Sequence, residues 1–147
     1  LGGAKIQTFG IQIVMFINIL SDEVRSKLDY EFLEKLTLLI EENLTVEEMD
    51  IAFMTDKMNM SYSTLYRKVK ALTNLSVSEF TCKIKIRNSI HLLQSGKYNI
   101  TEVSLMTGFN NLSYFQKCFK KECGVTPSEY VSRRKFKYVY LLKAEAD

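Results

Sequence analysis

Proline is nearly absent from this sequence. Pro127 is the only one, and glycine occurs six times in 147 residues. So few helix breakers favour helix. Histidine is scarcer than most catalytic chemistry needs, His91 standing alone. It falls mid-helix and reads as a surface or packed residue rather than a ligand or base. No Ser/His/Asp set, paired-carboxylate site or glycine-rich phosphate loop is present, so an enzyme is not expected. Cys82, Cys118 and Cys123 fit neither C-x-x-C nor zinc spacing. No metal and no cofactor is therefore expected. An odd cysteine count without a signal peptide points to reduced thiols in a cytoplasmic setting. Cys118 and Cys123, five apart on one expected helix, read as small core hydrophobes. Long apolar runs are missing too. A bilayer span needs about 18 such residues, and the longest candidate, Ile11–Leu20, is interrupted by Gln12 and Asn18.

What is present is a globular composition, 46% hydrophobic and 25% charged. The length allows one domain, or one domain plus an arm. The net charge of +3 conceals an asymmetry. Residues 1–55 carry four Lys/Arg against ten Asp/Glu, whereas residues 56–140 carry fifteen against five. A basic segment of that length is an electrostatic footprint for a polyanion; the plainer alternative is a solvated basic face.

Residues 1–28 read as an N-terminal arm or linker. The start at Leu1-Gly2-Gly3 without Met suggests a fragment of a longer chain or an expression scar. Ile11–Leu20, rich in β-branched residues, suits either a strand or a helix. Packing on its own domain is the favoured role, and self-association into a homodimer is the other. From Asp29 the helix signals become regular. Asp29 is expected to cap a helix whose stripe is Phe32, Leu33, Leu36, Leu39 and Ile40. Four capping boxes follow: Thr45…Glu48, Ser76…Glu79, Asn99…Glu102 and Thr126…Glu129. Pro127 stands at the first helical position of the last, where its missing N–H costs nothing.

These signals predict an all-α fold of about seven helices, near 30–43, 46–56, 61–73, 77–95, 100–107, 111–123 and 127–137. Asn59 and Gly108 supply the tight turns of two helix-turn-helix units. The 77–95 helix links them and spans roughly 28 Å, close to the ~34 Å repeat of B-DNA. The domain is expected over 29–137, with 138–147 as a C-terminal tail.

The two units repeat at an offset of 50 residues. Leu65 matches Phe115, Arg67 matches Lys117, Val69 matches Phe119, and Asn74 matches Gly124. Ser76-Val-Ser-Glu79 matches Thr126-Pro-Ser-Glu129. In the first repeat Ser61 is the expected N-cap and Leu65, Val69 and Leu72 face inward. Ser63, Thr64, Tyr66, Arg67 and Lys70 are left outside. In the second, Asn111 is the expected cap, and Phe115, Cys118, Phe119 and Cys123 face inward. Leu112, Ser113, Tyr114, Gln116, Lys117, Lys120 and Lys121 lie outside or at the rim. Arg and Lys donate to guanine, Gln pairs with adenine, and Ser or Tyr donates to phosphate. Such a helix fits a major groove. Outward tyrosines also suit stacking on single strands, although no sheet platform accompanies them. The N–H groups starting near Ser76 and Thr126 suit a phosphate, or plain capping.

The residues Met60-Ser-Tyr-Ser-Thr-Leu-Tyr-Arg-Lys-Val-Lys-Ala-Leu-Thr73, with Phe80 and Lys85-Ile-Arg87, resemble the first half of an AraC/XylS-type DNA-binding domain. Ile100-Thr-Glu-Val-Ser-Leu-Met-Thr-Gly-Phe109, Ser113-Tyr-Phe115, Phe119-Lys-Lys121 and Gly124-Val-Thr-Pro-Ser-Glu-Tyr130 resemble its second half and carry the family signature. The resemblance covers about residues 30–136. It is most similar to output domains of bacterial hybrid two-component sensors, where the module follows a kinase and a receiver. It implies two recognition helices in successive major grooves of promoter DNA. Ser63, Tyr66, Arg67, Ser113, Tyr114 and Lys117 would face bases. Thr64, Lys70, Asn111, Gln116, Lys120 and Lys121 would hold phosphates or the rim. It further implies a cytoplasmic activator that contacts RNA polymerase, with a parent protein anchored in the inner membrane if it is a hybrid sensor. No small-molecule site is expected in this piece. Asn59 departs from the usual glycine, and Leu112 and Ser113 stand where more polar or basic residues are common. The rival class is a helical protein-interaction module whose basic face docks an acidic partner.

Overall fold

The computed structural model describes residues 26–45 and 49–134, and every described regular element is a helix. In order they are α1 (Lys27–Glu42), α2 (Ile51–Met58), α3 (Tyr62–Thr73), α4 (Val77–Ser95), α5 (Ile100–Met106), α6 (Leu112–Cys123) and α7 (residues 127–134). The chain divides into two compact units, one ending at Asn88 and one beginning at Ser89, a division that falls within α4. The Ile11–Leu20 run, most of the expected arm, the expected start of the second helix at 46 and the tail 138–147 lie outside the described residues.

Helix starts are set by short polar side chains that accept from otherwise orphaned N–H groups. Two of the expected boxes close reciprocally. Glu79 N donates to Ser76 Oγ at 3.1 Å while Ser76 N donates to Glu79 Oε2 at 2.8 Å. Thr126 and Glu129 do the same at 3.2 and 3.1 Å. At the third, Glu102 N donates to Asn99 Oδ1 at 2.8 Å, and the Asn99 side-chain amide donates to Glu102 Oε1 at 2.9 Å. Two starts differ from expectation. α1 is capped by Ser26, whose hydroxyl accepts from Asp29 N at 3.1 Å. Asp29 therefore lies in the first turn, where its charge complements the positive helix end. α2 begins at Ile51 rather than after Thr45, because the Asp50 carboxylate accepts from Phe53 N at 2.9 Å.

The core of the first unit is one cluster. Phe32, Leu33, Leu36 and Ile40 of α1 meet Met54 and Met58 of α2, Leu65, Val69 and Leu72 of α3, and Val77, Phe80 and Ile84 of α4. Lys68 adds a cation–π contact, its Nζ 5.0 Å from the centre of the Phe32 ring. The second unit buries Leu93, Val103, Phe109, Phe115 and Phe119. Its aromatic side chains form a continuous series, Phe109–Phe115–Phe119–Tyr130, with centroids 5.1, 5.8 and 5.7 Å apart. Cys118 and Cys123, expected in this core, are only half-buried. The larger phenylalanines take the interior positions, so the cysteines sit at its margin. Phe115→Ala would empty the centre of the series and is expected to cost about 3–5 kcal/mol. Urea denaturation with an unchanged m-value would establish that loss.

One buried group sits uneasily in the first core. Glu41 on α1 is 8% exposed, with Oε1 accepting from Asn88 Nδ2 at 3.5 Å and Oε2 without a partner. Thr37 Oγ1, one turn earlier, is buried and equally unpartnered. Burial pushes the Glu41 carboxyl up from 4.5 to about 7; the Asn88 bond pulls it down, and Glu42 adds a smaller upward push. The folded state thus binds this proton more tightly than the unfolded chain. Its contribution is full below the unfolded pKa and is lost as pH rises through about 7. Urea midpoints of the wild type should fall between about pH 5 and pH 8, whereas Glu41→Gln should lack that step. Parallel pH profiles for the two proteins would refute the assignment.

Candidate nucleic-acid interface

Each unit carries a tight turn followed by an amphipathic helix. In the first, Asn59 takes the left-handed conformation at φ 54°, and Met60 N returns to Thr55 O at 3.1 Å. In the second, Gly108 does so at φ 82°, and Phe109 N returns to Ser104 O at 2.9 Å. The same 6-to-1 closure thus makes both turns. Glycine has no Cβ to clash there, and asparagine is the side chain that best tolerates the region. The departure at Asn59 leaves the turn geometry intact.

The helices that follow, α3 and α6, are twins of 12 residues each. Ser61 Oγ accepts from Thr64 N at 3.2 Å, and Asn111 Oδ1 accepts from Tyr114 N at 3.0 Å. Both end on a left-handed residue, Asn74 at φ 62° and Gly124 at φ 79°. The 50-residue offset therefore holds from cap to cap. Leu65 and Val69, and likewise Phe115 and Phe119, are fully buried. Successive helical residues turn by about 100°, so Arg67 and Lys117 emerge roughly 200° from Leu65 and Phe115.

On α3, Ser63, Tyr66 and Arg67 lie together on the exposed face, as expected. Thr64 is half-buried, and its Oγ1 accepts from Ser61 Oγ at 2.9 Å. Lys70 is exposed, but its Nζ donates to the Asn74 carbonyl at 3.0 Å. That bond satisfies an orphan carbonyl at the helix end, so a phosphate would have to compete for this ammonium. On α6, Ser113, Tyr114, Gln116, Lys117, Lys120 and Lys121 are all exposed, together with Asn111 at the cap. Among the described residues, Arg67, Lys117, Lys120 and Lys121 take part in no ion pair. Each face therefore keeps its positive charge unneutralised.

Sequence reasoning passed over Tyr62. It is exposed, and its ring lies 6.0 Å from that of Tyr66. The i, i+4 spacing of two tyrosines was the signal available. Tyr114 has a different neighbour, the buried Phe109 ring at 6.0 Å. The two outward tyrosines are thus supported differently. The two sets of side chains belong to separate units, three base-facing candidates in each.

No described helix is long and apolar enough to cross a membrane. Among the described residues no group of His, Cys, Asp and Glu is arranged to hold a metal ion.

Comparison with known proteins agrees with this geometry. A family profile described as "Helix-turn-helix domain" matches residues 54–133. The chain is 35% identical over 108 residues to "Histidine kinase P4" of Formosa agariphila, covering 74% of this chain and 8% of that protein. It is 30% identical over 88 residues to the "HTH-type transcriptional activator RhaS" of Mannheimia succiniciproducens, covering 60% of this chain and 33% of that one. The chain thus spans a third or less of the length of these curated relatives. Among solved structures it is similar to a DNA-binding transcriptional dual regulator from Escherichia coli K-12. That match has a TM-score of 0.61 at 25% identity and covers 67% of this chain and 93% of the other. The twin turn-and-helix units and the family match over more than half of the sequence lead to one assignment: the chain belongs to the AraC-type helix-turn-helix family, as a DNA-binding domain of transcription regulators.

Proposed function

We propose that this domain reads a bipartite promoter site in duplex DNA, with Ser63, Tyr66 and Arg67 of α3 and Ser113, Tyr114 and Lys117 of α6 facing bases. Thr64, Asn111, Gln116, Lys120 and Lys121 hold the phosphates and the rim, and Lys70 joins them once it leaves the Asn74 carbonyl. The observation that carries this reading is the pair of twin helices. Both are capped alike and closed alike, and both present unneutralised cations on the face opposite a fully buried stripe. A helix of that kind matches the width of a major groove and its pattern of donors and acceptors.

The parent protein is a two-component signalling protein with this domain as its output, a reading supported by the likeness to a histidine kinase. Signal input then resides elsewhere in the parent, which, if it is a hybrid sensor, is anchored in the inner membrane with this domain in the cytoplasm. Output is activation of transcription through RNA polymerase, a reading supported by the likeness to an HTH-type activator. Dimerisation, through the arm or the parent, places two such domains on adjacent sites. The domain itself performs no catalysis.

Affinity for duplex DNA is expected to fall steeply with salt, because each Lys or Arg that meets a phosphate releases a counterion. Titrating labelled duplex at two salt concentrations measures this; weak and salt-independent binding would sink the reading. Retention of an acidic protein but not of DNA would favour the interaction-module alternative. Selection of bound sequences from a random pool would supply the site itself. With that site in hand, Arg67→Ala and Lys117→Ala should each weaken cognate binding by roughly 1–3 kcal/mol and spare non-specific binding. Equal losses on both DNAs would make these residues phosphate contacts instead.

A further inference from the structure

The second unit carries a cleft that its reading face does not use. It encloses about 610 Å³ and is lined by Gln94, Cys123, Val125, Tyr130, Arg133 and Arg134. Its polar groups are mostly donors. Arg134 Nη1 donates to the Leu93 carbonyl at 2.9 Å, near the C-terminal end of α4. That bond fixes the guanidinium at the wall and leaves its other N–H groups unspent. The Tyr130 hydroxyl accepts from Gln94 Nε2 at 2.9 Å, so its own proton is left to donate. Arg133 makes no hydrogen bond or ion pair among the described residues. Among the described residues no carboxylate lines the cleft. Val125, Cys123 and the Tyr130 ring, itself packed edge-on against Phe119 at 5.7 Å, give it an apolar side.

Two guanidinium groups and a phenol hydroxyl around a space with no anionic acceptor among the described residues suit a carboxylate, whose paired oxygens match the guanidinium fork. The space is open rather than lidded, since Gln94, Arg133 and Arg134 are all exposed. A free small carboxylate would remain largely in water there, whereas small-ligand pockets bury about 70–90% of their ligand. A chain segment, anchored on both sides of its acidic residue, does not need that enclosure. The DNA backbone is the other anion at hand, but the cleft adjoins Cys123. That is the far end of α6 from Tyr114, about 14 Å along the helix axis.

We propose that this cleft docks an acidic peptide segment, with an Asp or Glu carboxylate held by Arg133, Arg134 and the Tyr130 hydroxyl and apolar neighbours resting on Val125 and Cys123. The site is distinct from the base-facing residues of α6. Through it a protein with acidic and apolar residues in alternation would be recruited to the promoter.

The test is fluorescence anisotropy of a labelled Leu-Glu-Glu-Leu-Glu-Glu-Leu peptide with the 147-residue chain at physiological salt. A Gln-for-Glu counterpart and saturating duplex DNA serve as the comparison arms. The Glu peptide should bind, the Gln peptide roughly tenfold more weakly, and Arg133→Ala should lower affinity about tenfold. Tyr130→Phe keeps the ring against Phe119 and removes only the donor, so it should weaken binding by roughly threefold or more. Thermal melts of both variants separate loss of the site from loss of the fold, and duplex affinity measured in parallel should be unchanged. Equal binding of the Gln peptide, or indifference to both substitutions, would overturn the proposal. Displacement of the peptide by duplex DNA would overturn it too, and would assign the arginines to phosphate.

Discussion

Burial of one stripe on each reading helix is the constraint on which the interface depends. Leu65 and Val69 in α3, and Phe115 and Phe119 in α6, lose all contact with solvent. Each such side chain contributes about 1.5–3 kcal/mol on burial. Rotating either helix by one residue would carry that stripe some 100° toward water, at a cost comparable to the whole stability of a small domain. The rotational phase is therefore fixed by the core, and with it the direction in which Ser63, Tyr66, Arg67, Ser113, Tyr114 and Lys117 point. A reading surface needs that rigidity, because hydrogen bonds to base edges tolerate little angular error.

The axial position of each helix is fixed at its ends. Ser61 and Asn111 define where α3 and α6 begin, and the left-handed Asn74 and Gly124 define where they stop. The turns at Asn59 and Gly108 then set the angle to the preceding helix by closing the same 6-to-1 bond. Phase from the core, start from the cap and angle from the turn together leave each reading helix little freedom. Lys70 shows the same economy, capping the carbonyl of Asn74 at one end of the surface it borders.

Much of this was legible because the signals were local. The 77–95 helix matched α4 from end to end, and three capping boxes marked starts that the hydrogen bonds reproduce. Where the reading slipped, two local signals competed. Asp29 and Ser26 are both good caps three residues apart, and the serine takes the cap while the aspartate complements the dipole. Asp50 caps α2, whereas the Thr45…Glu48 box reaches into residues outside those described. Cys118 and Cys123 follow the inward periodicity, yet the phenylalanines beside them fill the interior first. Tertiary facts left no trace in the pattern. The buried Glu41 beside Asn88, the Lys68 ammonium over Phe32 and the Arg134 bond to Leu93 join residues 36 or more positions apart.

The repeat is a symmetry of backbone more than of side-chain support. Tyr66 leans on Tyr62, which is itself exposed, whereas Tyr114 leans on Phe109, which is buried and continuous with Phe115, Phe119 and Tyr130. A ring backed by the core has less conformational entropy left to lose when it meets a base, and holding a side chain rigid before binding favours affinity and angular selectivity. A ring backed only by another exposed ring can shift with it. The two outward tyrosines thus differ in what they pack against, an exposed ring in the first unit and a buried one in the second. The same backbone plan thus carries two outward tyrosines with different support.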